Sequence, residues 1–343
     1  AKSNLFMLGG GKAMMNAYYE TASRLGVATA YESEVSELKI RDGEFVSALA
    51  FCNGASSDVS AKAVVVASGG FEANIPWLKE YWGDVADNFI IRGTKHNQGQ
   101  MLKELLRHGV KPVGDPRGCH AVALDARAPK FDGGIVTRLD SVPFGIVVNK
   151  HVKRFYDEGE DFWPKRYAIW GKLIAQQPDQ IAYSIVDAKA LPHFMPSVFP
   201  PVEARSIAEL ASTLGLDAKA LPTAVDEFNR AARPGAFDPG SLDNCRTEGL
   251  DPPKSHWARP IDRPPYYGYP LRPGITFTYL GVTVDEQARV IMQDGRPSRN
   301  IFAAGEVMAG NILGKGYLAG FGLTIGSVFG RIAGREAARY AAA

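Results

Sequence analysis

The sequence predicts an α/β fold in which one sheet-containing domain is interrupted by a second, inserted domain. A β-branched run, Ala61–Ser68, stops at Gly69-Gly70, as a buried parallel strand does at the edge of a sheet. A second apolar run, Asn300–Ala304, stops in the same way at Gly305-Glu306. Between these runs, residues 71–265 carry helical patterns separated by proline-rich loops, which indicates a separate domain.

Length and composition exclude several classes of protein. At roughly 150 residues per domain, 343 residues suggest two domains. A net charge of +2 with 22% charged residues gives no sign of nucleic-acid binding or general disorder. Cys52, Cys119 and Cys245 are too far apart for a zinc site or a disulfide framework. No apolar run reaches the ~18 residues of a membrane-spanning helix. These features predict a cytoplasmic protein that binds neither metal nor nucleic acid.

The first predicted elements are a helix and a hairpin. Apolar residues recur at three- and four-residue spacing over residues 12–25, which predicts an amphipathic helix. Two alternating stretches, Val35–Ile40 and Glu44–Phe51, flank Arg41-Asp42-Gly43. Alternation on both sides of an Asp-Gly pair predicts a β-hairpin.

Helical patterns dominate the rest of the chain. In the insertion they cover Gly99–His108, Arg166–Gln177, Ser206–Leu214 and Leu216–Arg233. After it, Gly281–Met292 alternates like a hairpin, and Leu318–Tyr340 predicts a long helix rich in glycine. Each helical glycine costs up to ~1 kcal/mol relative to alanine, so we expect close packing against a sheet or a ligand to offset it. We assign residues 1–70 and 266–343 to one domain and residues 71–265 to the other.

Three motifs resemble one superfamily of flavoproteins. Residues 67–71 read ASGGF, residues 303–306 read AAGE, and residues 314–322 read GKGYLAGFG. In dinucleotide-binding α/β sheets the ligand lies beyond the carboxyl ends of the strands. Together the motifs resemble the flavoprotein subunits of the fumarate reductase and succinate dehydrogenase superfamily, and within it tricarballylate dehydrogenase and its relatives. The resemblance implies a Rossmann-like FAD-binding domain with an inserted α+β capping domain.

The chain departs from the family pattern at its amino end. Family members open with a strand, a GxGxxG turn and a helix that hold the FAD pyrophosphate, and this sequence has no such segment. Gly9-Gly10-Gly11 precede a helix but follow no predicted strand. They are either a flexible terminal turn or, as the resemblance implies, a loop near the flavin at a helix end that favours anions. We therefore expect an amino-terminally truncated FAD-binding domain.

The resemblance assigns FAD contacts mainly to backbone and small residues. Those by the adenine, adenosine and pyrophosphate are Val35, Ala67, Ser68 and Gly69. The residues implied to contact the flavin ring are Gly322 and Leu323. Gly10 and Gly11, in the terminal loop, are implied to lie near the flavin as well. Glu306 would bind the ribose or ribityl hydroxyls, and its alternative is a solvated loop carboxylate. For the glycines of the last helix, the alternative is packing between helix and sheet.

The resemblance also implies that a hydride moves between flavin N5 and one carbon of a carboxylate, while an arginine exchanges a proton with the neighbouring carbon. Residues 152–158, VKRFYDE, match a family GKRFxxE segment, and counting back from the end of the following helix selects Arg166. An arginine can serve because geometry in a dry site outweighs its high pKa. His120 matches a family histidine that binds a substrate carboxylate. The alternatives are a surface arginine and a structural or surface histidine.

The remaining substrate ligands differ from the family. Residues 277–281 read FTYLG where fumarate enzymes carry HTMGG, and Tyr317 stands where they carry an arginine. This argues against plain fumarate or succinate as substrate. Tyr279 and Tyr317 either donate hydroxyl hydrogen bonds to a carboxylate or serve packing. Thr94 lies in a segment that corresponds to a family loop near the active site. Further cations for a tricarboxylate, or else surface residues, are Arg92, Arg117 and Arg138.

Three functions remain open from the sequence. The first is an FAD-dependent dehydrogenase of the tricarballylate dehydrogenase or fumarate reductase type, acting on a tri- or dicarboxylate. The resemblance implies a separate membrane-associated electron-transfer partner, because the chain has no haem or iron–sulfur motif. The second is a cofactor-free, inactive fragment, which the missing GxGxxG supports. The third is a flavin-dependent desaturase of a ketone or ring substrate, which Tyr317 in place of arginine keeps open.

Overall fold

The computed structural model describes residues 8–343, so residues 1–7 of the predicted first domain lie outside the described part. The fold is mixed α/β, as predicted. Its α-helices are Gly10–Arg24, Ile75–Trp82, Gln100–Arg107, Trp163–Arg166, Trp170–Ala175, Ile207–Leu214, Ala220–Ala231 and Phe321–Ala342. Its strands are Ser33–Arg41, Glu44–Cys52, Ala55–Ser60, Val64–Val66, Ile90–Ile91, Pro112–Val113, Cys119–Asp125, Ile146–Asn149, Ala182–Asp187, Val202–Ala204, Ala232–Arg233, Arg246–Thr247, Tyr266–Thr278, Gly281–Val282, Arg289–Ile291 and Pro297–Ala303.

Two tight turns fold the first strands into an antiparallel meander. Ser33–Arg41 pairs with Glu44–Cys52 across Asp42-Gly43, whose φ angles are +54° and +78°. Two successive left-handed residues are typical of a type I′ turn, which matches the twist of the strands it joins. The predicted hairpin is therefore confirmed. A third strand, Ala55–Ser60, follows a turn of the same kind at Asn53-Gly54 and was not predicted.

The two glycine-terminated strands lie side by side. Val64–Val66 pairs in parallel with the end of Pro297–Ala303, and the Ala304 N–H donates to the Val66 carbonyl at 3.0 Å. The predicted parallel strands are confirmed, although the first is shorter than Ala61–Ser68. Because both strands end at the same edge, the segments that follow them lie close together there.

The long strand Tyr266–Thr278, which the sequence pattern did not predict, lies at the centre of a second sheet. Its first half pairs with Ala182–Asp187 and its second half with Cys119–Asp125, both antiparallel. These partners lie within the predicted insertion, so the strand joins residues 266–278 to that sheet. The domain division at residue 265 stays a prediction, and this pairing favours a transition near Thr278.

The carboxyl-terminal helix, Phe321–Ala342, spans 22 residues, of which Ile325 and Ala333 are buried. It begins after Gly320, whose left-handed φ of +95° sets the turn into the helix. The predicted long helix is thus confirmed with a slightly later start. A Cβ on Gly326, Gly330 or Gly334 would meet no atom within 4 Å. The expectation that these glycines pack closely against the sheet is therefore wrong. The helix instead has open space in front of them.

Two other helices differ from their predicted bounds. The predicted helix Arg166–Gln177 is split into Trp163–Arg166 and Trp170–Ala175 by a 3₁₀ turn. The predicted helix Leu216–Arg233 spans only Ala220–Ala231. Asp217 accounts for the later start, because its carboxylate accepts from the N–H groups at the beginning of this helix.

The predicted hairpin within Gly281–Met292 is confirmed, although it is short. The Ile291 N–H donates to the Thr283 carbonyl at 2.9 Å and the Asp285 N–H donates to the Arg289 carbonyl at 3.0 Å, on either side of an antiparallel bridge between residues 284 and 290. The outer parts of the two arms have other partners: Gly281–Val282 pairs with Pro112–Val113, and Arg289–Ile291 pairs with Pro297–Ala303. Alternation therefore identified the hairpin but not the strands that its arms pair with.

One buried core connects the sheets and places their ends next to each other. It contains Leu38 of the meander, Ile301 of the parallel pair and Ile275 of the long strand, together with Phe71. No helix in residues 8–343 has both the length and the hydropathy that a membrane span requires.

Candidate active site

His120 is enclosed between two tyrosine rings. It lies on strand Cys119–Asp125, where strand pairing sets it opposite Phe277. Its imidazole stacks on Tyr317 with ring centroids 4.0 Å apart, and Tyr167 meets it edge-on at 5.2 Å. His120 is 2% exposed, and neither ring nitrogen has a hydrogen-bond partner among the described residues. Because unpartnered buried polar atoms are costly, a ligand that hydrogen-bonds to this imidazole would be stabilised.

Two arginines face the same region, and with His120 they form what we call the cationic cluster: Arg92, His120 and Arg138. The Arg138 guanidinium lies over the Tyr167 ring at 4.9 Å and pairs with Asp140 at 2.7 Å. Arg138 Nε and Arg92 Nη1 are both buried without a hydrogen-bond partner among residues 8–343. Guanidinium groups with free, enclosed N–H bonds are suited to binding a carboxylate.

Burial controls the protonation of this region. It holds the pKa of His120 well below the usual histidine value, and the charges of Arg92 and Arg138 act in the same direction. The imidazole is therefore neutral at pH 7. Burial raises the pKa of Tyr167 to about 12 and also raises the pKa of Tyr317. Both phenols keep their protons at neutral pH and are hydrogen-bond donors rather than bases.

The two tyrosines predicted to bind substrate have different surroundings. Tyr317 Oη accepts a hydrogen bond from the Gly322 N–H at 2.5 Å, which leaves its own proton free to donate. Tyr279 is 1% exposed, and its hydroxyl donates to the Gly316 carbonyl. Tyr317 thus stacks on His120 of the cationic cluster, whereas the Tyr279 hydroxyl already has a backbone carbonyl as its hydrogen-bond acceptor.

Glu306 belongs to a buried carboxyl network of Glu72, Asn97, Thr278 and Glu306. Glu306 Oε1 accepts from the Thr278 N–H at 2.7 Å and from its hydroxyl at 3.0 Å. The Asn97 amide donates to Glu306 Oε2 at 3.1 Å and to Glu72 Oε1 at 2.5 Å. The alternative of a solvated Glu306 is therefore wrong. Sequence reasoning missed Glu72, although it directly follows the ASGGF motif.

Burial affects both carboxyl groups of this network in the same direction. Burial and the adjacent Glu306 raise the pKa of Glu72 well above its usual value. Burial also raises the pKa of Glu306, against hydrogen bonds that favour its carboxylate form. Because two neighbouring buried carboxyl groups disfavour each other's ionised form, Glu72, which has fewer hydrogen-bond donors than Glu306, is the group that keeps its proton to higher pH.

Arg166 lies beside Glu160. Its Nε is 3.0 Å from the Glu160 carboxylate, and although the side chain is 37% exposed, this nitrogen is buried and makes no well-aligned hydrogen bond with a described residue. The Tyr156 hydroxyl donates to the same Glu160 carboxylate at 2.7 Å. The cations that shift the pKa of His120 are Arg92 and Arg138, and Arg166 is not one of them.

Two other predicted residues also lie outside the cluster. Thr94 is exposed, and its hydroxyl accepts from the His96 N–H at 3.2 Å. Arg117 donates to the Tyr81 carbonyl at 2.8 Å. No group of three or more His, Cys, Asp or Glu side chains within the described range is arranged to hold a metal ion.

Comparison with known proteins identifies the family. Residues 2–323 match the FAD binding domain family. The chain belongs to this family. It is 31% identical to 4-oxocyclohex-2-ene-1-carboxylate 5-dehydrogenase of Sinomonas cyclohexanicum, over 97% of this chain and 60% of that protein. It is 26% identical to NADH:fumarate oxidoreductase of Klebsiella pneumoniae (strain 342), over 96% of this chain and 34% of that protein.

A solved structure supports the same fold. The open conformation of a flavocytochrome c3 fumarate reductase superposes with a TM-score of 0.70 at 22% identity, covering 94% of this chain and 54% of that one. The predicted FAD-binding fold, the fumarate reductase flavoprotein superfamily and FAD as cofactor are thereby confirmed. The chain spans 60% and 34% of the lengths of the two curated relatives described above.

The edge where the parallel strands end fits FAD. Ala67 and Ser68 follow Val64–Val66 and are exposed there. A Cβ on Gly305 or Gly320 would meet no atom within 4 Å, so the backbone is open to close approach. An open glycine edge beside the amino end of a helix suits a pyrophosphate, because backbone N–H groups and the helix dipole favour anions.

The other residues predicted to contact FAD have mixed surroundings. Leu323 is 56% exposed and Val35 is 38% exposed, so both are open to a ligand. Gly69 is closed on its side-chain face, since a Cβ there would lie 2.1 Å from Asn97 Oδ1. Gly10 and Gly11 form the first turn of helix Gly10–Arg24, with open space in front of them.

Proposed function

We propose that this chain is the core of an FAD-dependent oxidoreductase that binds a small carboxylate and transfers a hydride between a substrate carbon and flavin N5. The observation that supports the proposal best is the pair of buried, unpartnered guanidinium nitrogens of Arg92 and Arg138 beside neutral His120. A carboxylate would accept hydrogen bonds from all three residues and would neutralise a buried charge. When bound, FAD supplies the atom that accepts or donates the hydride.

Each residue has a role in this proposal. The cationic cluster binds and orients the carboxylate. The Tyr317 hydroxyl, held by the Gly322 N–H, donates to a second oxygen of the substrate. Arg166 remains the proposed proton-exchanging residue. Contacts to FAD are proposed for Gly10, Gly11, Val35, Ala67, Ser68, Gly69, Glu306, Gly322 and Leu323.

The proposed substrates include the tri- and dicarboxylates implied by the sequence resemblance, tricarballylate among them. A second candidate function is desaturation next to a ketone. The hydroxyls of Tyr167 and Tyr317 beside His120 favour it, because phenol donors suit a carbonyl oxygen. A separate membrane-associated electron-transfer protein is proposed as partner, and a cytoplasmic location stays a prediction.

The test is turnover by the FAD-loaded chain with an artificial electron acceptor. Substrates are tricarballylate, succinate, cyclohexanecarboxylate and an uncharged cyclohexanone. We expect oxidation of at least one carboxylate, with kcat/KM lowered about tenfold to a hundredfold in Arg92→Gln. Arg117→Gln is the matched control, because Arg117 lies outside the cluster, and it should match wild type. Turnover of the uncharged ketone alone, or an Arg92→Gln variant equal to wild type, would contradict carboxylate recognition.

A further inference from the structure

The charges of the cationic cluster leave one positive charge uncompensated. Arg138 pairs with Asp140 at 2.7 Å, and their side chains are only 17% and 10% exposed. The other Asp140 oxygen accepts a hydrogen bond from Trp163 Nε1 at 2.7 Å, so both oxygens of this carboxylate have a donor. Arg92 forms no ion pair with any described residue. Since His120 is neutral, two cations and one anion give a net charge of +1.

Among the described residues, Asp140 is the one carboxylate that pairs with an arginine of the cationic cluster. The neighbouring phenols of Tyr167 and Tyr317 keep their protons at neutral pH and add no charge. Glu306 is held in the carboxyl network by hydrogen bonds from Asn97 and Thr278.

Aromatic rings form the rest of the surroundings. His120 lies between Tyr167 and Tyr317, and Phe277 lies 5.9 Å from Tyr317 between ring centroids. A second carboxylate placed here would lose its hydration and meet no free cation of its own. An uncharged, ring-sized group would instead bury apolar area against these rings.

We infer, on the basis of the proposed function, that the site selects a monocarboxylate with an uncharged body over di- and tricarboxylates. Asp140 is the residue that sets this preference, because it cancels the charge of Arg138 and holds the guanidinium in place. The ligand carboxylate then meets the single uncompensated charge, which Arg92 carries.

The test measures dissociation constants of three probes with the FAD-loaded chain, from changes in the flavin absorption spectrum. The probes are cyclohexanecarboxylate, succinate and tricarballylate. Wild type should bind cyclohexanecarboxylate at least about tenfold more tightly than either of the others. In Asp140→Asn the net charge becomes +2. The ratio of the dissociation constant of cyclohexanecarboxylate to that of succinate should then change about tenfold in favour of succinate binding. Asp140→Glu should restore the wild-type preference.

Asp125→Asn is the matched control. Asp125 pairs with Arg127 at 2.6 Å, with the same spacing in sequence as Asp140 and Arg138, but its partner is not an arginine of the cationic cluster. The preference among the probes should not change in this variant.

The outcomes separate the inference from the proposed function. Equal or tighter binding of succinate or tricarballylate by wild type overturns the inference, as does an unchanged ratio in folded Asp140→Asn. Carboxylate binding in either case leaves the proposed function standing, whereas binding of no probe overturns the function itself. If Asp140→Asn fails to fold, Arg138→Gln supplies the test. It leaves no net charge, so cyclohexanecarboxylate affinity should fall about tenfold, and unchanged affinity overturns the inference.

Discussion

The imidazole of His120 and the phenol of Tyr317 lie face to face, with 4.0 Å between ring centroids and 4° between ring planes. The stack occupies one ring face of His120, and Tyr167 lies edge-on to the imidazole. Hydrogen bonds to the imidazole must therefore be made in its plane, at Nδ1 and Nε2. Both atoms lack a partner among residues 8–343, so they point to where a ligand would be bound.

His120 should stay neutral across the physiological range of pH. Its pKa is held well below the usual value by burial and by Arg92 and Arg138. The fold therefore favours the uncharged imidazole, and protonation sets in only at pH values below those that protonate an exposed histidine. Histidine ¹⁵N NMR, with His120→Asn for assignment, should show no titration of this ring between about pH 6 and about pH 8. A midpoint inside that range would contradict the burial argument.

Arg92→Gln should stabilise the substrate-free chain while it weakens carboxylate binding. A buried charge without a counter-ion is a cost to folding that the neutral glutamine removes. We expect a gain of about 1 kcal/mol in the free energy of unfolding, measured by denaturant titration without ligand. A loss of stability would mean that Arg92 makes a structural interaction in the folded state.

Glu72 should make stability depend on pH. Its folded-state pKa lies above the unfolded value of 4.5, so its stabilising effect is complete below that pH and declines as pH rises toward the folded-state pKa. Glu72→Gln mimics the protonated form. Its melting temperature relative to wild type should therefore be higher at about pH 8 than at about pH 5. Glu227→Gln, an exposed helix position, should show no such difference. An equal difference for Glu72→Gln at both pH values would contradict a raised pKa of Glu72.

Arg166 can be tested separately from the cationic cluster. If it exchanges the proton, Arg166→Gln should lower kcat by roughly a hundredfold or more and change carboxylate affinity little. Lys165→Gln, which alters a neighbouring exposed ion pair with Asp161, is the control. Wild-type kcat in Arg166→Gln would remove this residue from the mechanism, in agreement with its ion pair to Glu160.

Local chemistry made part of the fold predictable. The Asp42-Gly43 turn has the left-handed backbone that this dipeptide favours. The hairpin could therefore be predicted from this dipeptide and the alternating residues on both sides of it. The same signal at Asn53-Gly54 was present in the sequence and would have revealed strand Ala55–Ser60. The strands that end in glycine were also evident, because continuous β-branched runs are typical of buried parallel strands.

Long-range pairing and charge were not predictable from the sequence. The strand Tyr266–Thr278 contains glycine and prolines, which argue against a central strand. The cationic cluster joins Arg92, His120 and Arg138 from separate segments. No motif in the neighbouring sequence made Arg92 or Arg138 a better candidate for substrate binding than Arg117. Only their common burial distinguishes them.

FAD binding by this chain, together with carboxylate binding at the cationic cluster, is the central proposal. The direct measurement is the visible absorption spectrum of the purified chain, with added FAD and then with cyclohexanecarboxylate, for wild type and Arg92→Gln. We expect a flavin double band that stays with the protein, and a spectral shift on adding carboxylate that is much weaker in Arg92→Gln. No protein-bound flavin band, or an identical shift in both proteins, would contradict it.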